Sequence, residues 1–236
     1  MEKNQFASYY SEEAVVAEQS RFMTKVFSWM SVALLVTAGV AYYVAFNPAI
    51  VEFVFSSKIN FYLMLGAELG IVWWLSSRVA SMTANMATFW FFLYAIVNGV
   101  TLSVIFFAFT ADSIFYVFLI AASMFMAMAA YGYYTKKDLT SWGSLLFMGV
   151  IGLLVAGIVN LFLRSDMLGM VVSSVGVLIF VGLTAYDTQK IKEMNVIGNE
   201  GTDEDKKEAI MGALTLYLDF INLFLYLLRL LGNRRD

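Results

Sequence analysis

The sequence predicts an all-α integral membrane protein of seven transmembrane helices, with the last helix central in the bundle. Three observations carry that expectation. The chain of 236 residues is 61% hydrophobic and 14% charged, whereas a soluble domain carries about 25% charged residues, and its mean hydropathy is +0.75. Its apolar residues fall in runs of roughly 20, the length at which a helix crosses a ~30 Å hydrocarbon core. Those runs are continuous rather than alternating, which is not the pattern of a strand barrel.

The expected spans are residues 26–46, 61–77, 86–109, 114–134, 142–163, 168–187 and 209–231. Before the first lies a polar, acidic tail, residues 1–25, with Glu2, Glu12, Glu13 and Glu18 and no basic region ahead of an apolar one, so it is not a cleavable signal. Along it and up to the first residue of that span, Val15, Val16, Phe22, Met23 and Val26 recur at helical spacing, as in a short helix lying at the membrane interface. The second span is short and interrupted by Glu68; the third carries a polar notch, Asn98 and Thr101. In the fifth, Gly152, Ala156 and Asn160 stand at i, i+4 and i+8, a spacing that suits close helix packing. Pro48 is the single proline and lies outside the runs, so the spans are not proline-kinked. The membrane domain covers residues 26–231 and leaves a short tail, 232–236.

Lysine and arginine set the orientation. Ten of the fifteen fall on the side of the N-terminus, which is therefore expected in the cytoplasm. Seven spans then put the C-terminus outside, although Arg234 and Arg235 argue for the inside, as one re-entrant segment would allow. The sizeable hydrophilic connection, residues 188–208, holds Glu200, Asp203, Glu204, Asp205 and Glu208 among lysines and is expected as a solvated cytoplasmic loop. It lacks the ligand spacing of an EF-hand.

The absences exclude much chemistry. Without Cys there are no disulfides, zinc thiolates or iron–sulfur ligands, and without His no Ser–His dyad, HExxH site or His-ligated haem. An enzyme is not expected, nor a resident cofactor. The net charge of −3, with no basic patch, gives no support to nucleic-acid binding.

Two aspartates stand out. Asp187 closes the sixth span and Asp219 lies inside the seventh. A carboxylate at bilayer depth costs at least ~2.5 kcal/mol on insertion scales, so each is a candidate functional group. On the last helix Thr215, Asp219, Asn222, Tyr226 and Arg229 recur at intervals of 4, 3, 4 and 3, which keeps them on one face. A polar face turned to lipid would be unsatisfied, so it is expected to look into the bundle. Thr215 and Asn222 also suit plain interhelical hydrogen bonding. By depth Glu68 is level with Asp219, while Asp187 is nearer the level of Arg78. An Asp187–Arg78 ion pair is one expectation. An Asp187–Asp219 pair requires the sixth helix to run on through Ile191, or the seventh to begin before the lipid.

Four segments carry a resemblance: GYYTKKDL at residues 132–139, GSLLFMG at 143–149, GLTAYDTQ at 182–189 and LYLDFINLF at 216–224. Together they resemble the Bax inhibitor-1 family, also called the transmembrane Bax-inhibitor-motif family, and especially its bacterial members. The resemblance covers nearly all of the membrane region. It implies a seven-helix fold with a central last helix, in the bacterial inner membrane as a multi-pass protein, acting as a pH-sensitive calcium leak channel gated by a di-aspartyl pair. The matching positions are Asp187 and Asp219, with Arg78 as the basic gate partner and Glu68 as the pore glutamate of the second helix; from the stripe on the last helix, Asn222 and Thr215 are expected to join the polar pore face.

Two carboxylates ~5 Å apart at an effective dielectric near 20 repel by roughly 3 kcal/mol. The expected mechanism is a pair that shares one proton at or below neutral pH, titrates as a unit and holds the inner mouth shut. Its deprotonation would expose Asp187 and Asp219 to a passing Ca²⁺, held transiently because two aspartates supply only part of the six to eight oxygens that ion prefers. The rival expectation, from a different class, is a non-conducting regulator of a membrane-anchored protease or a stress or cell-death factor, docking through residues 1–20. The expected partners are otherwise the lipid bilayer and Ca²⁺.

Overall fold

The computed structural model describes residues 11–235, and within them the chain is almost entirely helical. In order the helices are α1 (Glu12–Ala45), α2 (Pro48–Phe55), α3 (Lys58–Arg78), a 3-10 turn (Val79–Ser81), α4 (Ala84–Leu102), α5 (Ile105–Ala108), α6 (Ala111–Tyr134), α7 (Thr140–Leu163), α8 (Asp166–Met194) and α9 (Asp203–Leu231). Local chemistry sets many of the starts. Ser11, Ser57, Thr83 and Thr110 each accept a backbone N–H in the first turn of α1, α3, α4 and α6, and Asn47 caps α2 ahead of Pro48 at its first position.

Six helical segments among the described residues are long and apolar enough to cross a membrane: Glu12–Ala45, Ala84–Ala108, Ala111–Tyr134, Thr140–Leu163, Asp166–Met194 and Asp203–Leu231. The expected second span, 61–77, falls on α3, a 21-residue helix outside those six, so six of the seven expected spans meet this measure. The most apolar stretch of α9 is 67% buried, the highest of the six, and that of α7 is 6% buried, the lowest. A helix as apolar as α7 with so bare a surface is stable only where lipid supplies the apolar surroundings.

The chain divides into two compact units. Unit 1 comprises residues 1–107 and 194–217; unit 2 comprises 108–193 and 218–236. Helix α9 passes from one to the other between Tyr217 and Leu218.

In unit 1, α4 packs on α1 and on α3. Gly99 permits the α1 contact, since a Cβ there would stand 2.7 Å from the Thr37 carbonyl oxygen. Phe22, Val26, Ala33, Phe91 and Ala95 are buried in this core. The residues expected as a separate interfacial helix, 15–26, are helical but continuous with the first span, because nothing interrupts α1 from Glu12 onward. Residues 1–10 of the expected docking tail lie outside the described residues.

The connection 188–208 is a correction. Helix α8 runs on to Met194 and α9 begins at Asp203, leaving 195–202 between them, with Gly198 and Gly201 at positive φ of 90° and 84°. Its acids are engaged rather than simply solvated. Arg21 grips Glu200 with Nε at 2.9 and 3.1 Å from the two oxygens; Lys25 Nζ lies 2.8 Å from Asp205 Oδ2; and Asp203 accepts the Ala84 N–H at 2.9 Å. Glu18 accepts the Gly198 N–H at 2.8 Å. The stretch of α1 ahead of the expected first span thus clasps this connection. No group of three or more acids placed to hold a metal ion occurs among the described residues.

In unit 2, small residues set the approach of α6, α7 and α8. A Cβ on Gly132 would overlap the backbone of Ala185, and one on Gly143 would enter the ring of Tyr186. Gly152 does not serve this purpose: a Cβ there meets nothing within 4 Å. Of the three spaced residues Gly152 is exposed, whereas Ala156 and Asn160 are half-buried, a difference that periodicity alone could not show. Phe118 and Phe125 meet Phe220 of α9 edge to face, with centroids 5.4 and 5.6 Å apart.

Candidate functional site: an aspartate pair

Asp187 stands on α8 and Asp219 on α9, both within unit 2, and their carboxyl groups are near enough to act directly on each other. The length of α8 makes this geometry available. Asp187 is not the last residue of its helix but is followed by seven more, up to Met194. Asp219 lies sixteen residues after Asp203, the start of α9. Bringing the two level offsets the helix ends by about 14 Å at 1.5 Å per residue, a gap that the connecting residues 195–202 readily span.

The neighbouring polar groups are spoken for. Thr184 Oγ1 donates to the Phe180 carbonyl at 2.8 Å and Thr188 Oγ1 to the Thr184 carbonyl at 2.6 Å. Asp219 is 5% exposed, and its Oδ2 receives no donor from the ordinary N–H and O–H groups around it. Two ionised carboxylates are both acceptors, so neither can satisfy the other unless one of them carries a proton. Lys190, one turn beyond Asp187 on α8, is the charged neighbour acting on it; its Nζ lies 5.6 Å from the Tyr186 ring centroid.

Other polar positions of the last helix resolve differently. Thr215 donates to the Met211 carbonyl at 3.1 Å and Asn222 to the Leu218 carbonyl at 2.8 Å, so both bond within their own helix. Tyr226 stacks on Phe180, at 5.7 Å and 28°, over Gly176. Arg229 is exposed and lies against Gly169.

Arg78 is in unit 1, exposed, with its guanidinium carbon 5.2 Å from the Trp74 ring centroid, and forms no ion pair among the described residues. The expected Asp187–Arg78 ion pair is not among the ion pairs of the described residues. The face of an indole ring attracts such a guanidinium.

Glu68 is half-buried in unit 1, with Asn98 Nδ2 3.5 Å from its Oε2 and no donor on Oε1. Asn98 continues into a chain the sequence did not reveal: Tyr217 OH donates to Asn98 Oδ1 at 3.0 Å and stands 2.7 Å from Thr37 Oγ1, which also reaches the Ala95 carbonyl at 2.9 Å. Tyr217 is fully buried. The only signal for it was a phenol in an otherwise apolar stretch, two residues before Asp219.

Comparison with known proteins agrees with this architecture. A family model described as inhibitor of apoptosis-promoting Bax1 matches residues 19–236. The inner membrane protein YbhL of Escherichia coli K12 is 47% identical over 215 residues, covering 91% of this chain and 92% of that protein. A protein of Borreliella burgdorferi is 43% identical over 225 residues, covering 95% and 97%, and RP147 of Rickettsia prowazekii is 45% identical over 217 residues, covering 92% and 91%. With several helices apolar enough to cross a bilayer and a match along nearly its whole length, this chain is a membrane protein of the Bax inhibitor-1 family.

Proposed function

We propose that this protein is a pH-sensitive cation leak channel, with Ca²⁺ as the principal cargo, in which Asp187 and Asp219 form a proton-operated gate. The observation that carries the proposal is the direct approach of two carboxyl groups from two helices of a membrane protein, with Asp219 buried. Such a contact holds only while one proton is shared. Once it leaves, two like charges face each other, and at ~5 Å and an effective dielectric near 20 they repel by roughly 3 kcal/mol, enough to favour separation of α8 from α9. The freed carboxylates would then attract a divalent cation. Lys190 weakens that attraction, and two aspartates complete only part of a calcium shell, so the ion passes instead of being trapped.

The test is calcium-dye flux in liposomes containing the purified protein, across a range of pH. Wild-type flux is expected to rise as pH increases. Asp187→Asn and Asp219→Asn are expected to flatten that dependence, since an amide keeps its hydrogen-bond donor at every pH. A pH–flux curve unchanged in both variants would overturn the gate, and absence of flux through the wild type would overturn the channel itself.

A further inference from the structure

At the end of unit 2 formed by the start of α8 and the end of α9 lies a surface pocket of about 270 Å³, lined by Asp166, Gly169, Met170, Arg229, Leu230 and Arg234. Two features of the fold hold its arginines in place. Gly169 leaves the α8 backbone bare where Arg229 crosses it: a Cβ there would stand 2.8 Å from Arg229 Nη2 and 3.3 Å from Asn160 Nδ2. Arg234 is placed by a stitched C-terminal tail. Residue 234 bridges to Phe109, the Thr110 N–H donates to the Asn233 carbonyl at 3.1 Å, the Arg235 N–H donates to the Ala108 carbonyl at 3.0 Å, and the Asn233 N–H donates to Ser113 Oγ at 2.8 Å.

Among the described residues neither Arg229 nor Arg234 forms an ion pair, and those that line the pocket set two guanidinium groups against one carboxylate, Asp166. Two arginines on fixed backbone with spare donors suit a phosphate, whose oxygens take the planar N–H forks. The surroundings say which phosphate. Met170 and Leu230 contribute apolar lining, and beside it Phe162, Leu163 and Met167 are 83%, 64% and 79% exposed, on helices that cross the bilayer. A soluble anion has no use for that surface, whereas acyl chains do.

We propose that the Arg229–Arg234 pocket binds the phosphate of an anionic phospholipid, with its acyl chains along the bare face of α7 and the first turns of α8. Basic pockets at helix ends are a recognised means of lipid selection. This site is independent of the aspartate gate and would stand if no ion were conducted.

The experiment is native mass spectrometry of the purified full chain after exposure to equal amounts of phosphatidylglycerol, phosphatidylethanolamine and phosphatidylcholine. Wild type is expected to retain phosphatidylglycerol over both others. The double variant Arg229→Gln, Arg234→Gln is expected to lose about tenfold of that retention, as removal of charge-assisted hydrogen bonds implies. Lys136→Gln, Lys137→Gln, in the α6–α7 connection, is expected to keep it. Arg229→Lys, Arg234→Lys preserves charge without the fork and is expected to fall between, which keeps the comparison decisive if the glutamine variant does not fold. The proposal is overturned by equal retention of the three lipids in the wild type, by undiminished retention in a folded glutamine variant, or by displacement of the lipid by inorganic phosphate alone.

Discussion

Gly132 of α6 lies so close to Ala185 of α8 that a methyl group on its Cα would overlap the Ala185 backbone. The contact falls two residues before Asp187, on the helix face that fixes where α8 stands. The same face is held one turn further on by Gln189, whose Oε1 accepts the Leu139 N–H at 2.9 Å and whose Nε2 donates to the Lys137 carbonyl at 2.8 Å. The residues that position Asp187 are therefore neutral neighbours, legible only in three dimensions.

Gly132→Ala is expected to lower stability by about 1–3 kcal/mol, the usual cost of overpacking. Gly152→Ala, with open space around its Cα, should be neutral or gain up to ~1 kcal/mol from helix propensity. Thermal unfolding followed by helical circular dichroism in detergent separates the two; equal shifts would contradict the packing described for α6 and α8.

Tyr217→Phe removes the hydroxyl that joins Thr37 to Asn98 in the core of unit 1. Asn98 Oδ1 then loses its donor, while Thr37 retains the Ala95 carbonyl. A loss of about 1–3 kcal/mol is expected, the cost of an unsatisfied buried polar group. The same unfolding measurement checks it, and an unchanged midpoint would mean that the hydroxyl is dispensable.

Lys25→Met should be more damaging than the double variant Lys25→Met, Asp205→Asn. The Asp205 side chain is 2% exposed and takes Lys25 Nζ and the Gly201 N–H on the same oxygen, each at 2.8 Å. Removing the lysine alone strands a buried carboxylate; neutralising both does not. A double-mutant cycle is expected to show coupling of about 1–3 kcal/mol, and strict additivity would count against the pair.

The Glu200 carboxyl is held below its ordinary range, chiefly by its hydrogen bond with Arg21 and further by the Arg21 and Lys25 charges. A carboxyl depressed in the folded state contributes stability that is present above its ordinary value and lost as pH falls through the folded one. In Arg21→Gln its titration, followed by carbon-13 NMR, should move upward toward the ordinary glutamate range, and added salt should weaken the wild-type effect. A Glu200 titration indifferent to Arg21→Gln would refute the clasp.

Much of this molecule could be read directly from the order of its residues. Apolar runs of membrane length and the scarcity of charge determine a helical membrane protein, and the segments around Asp187 and Asp219 carry its family resemblance. These are properties of composition and local periodicity, which hydrocarbon enforces because every backbone polar group must be paired within the helix. Tertiary structure decided what periodicity cannot encode. It chose which glycines are crowded, Gly132 and Gly143 rather than Gly152, and ran α8 on to Met194. It turned Thr215 and Asn222 onto their own backbone and placed Arg78 over Trp74. A side chain's partner depends on which helix faces it and at what height, and that follows from the packing of the whole chain and not from spacing along one helix.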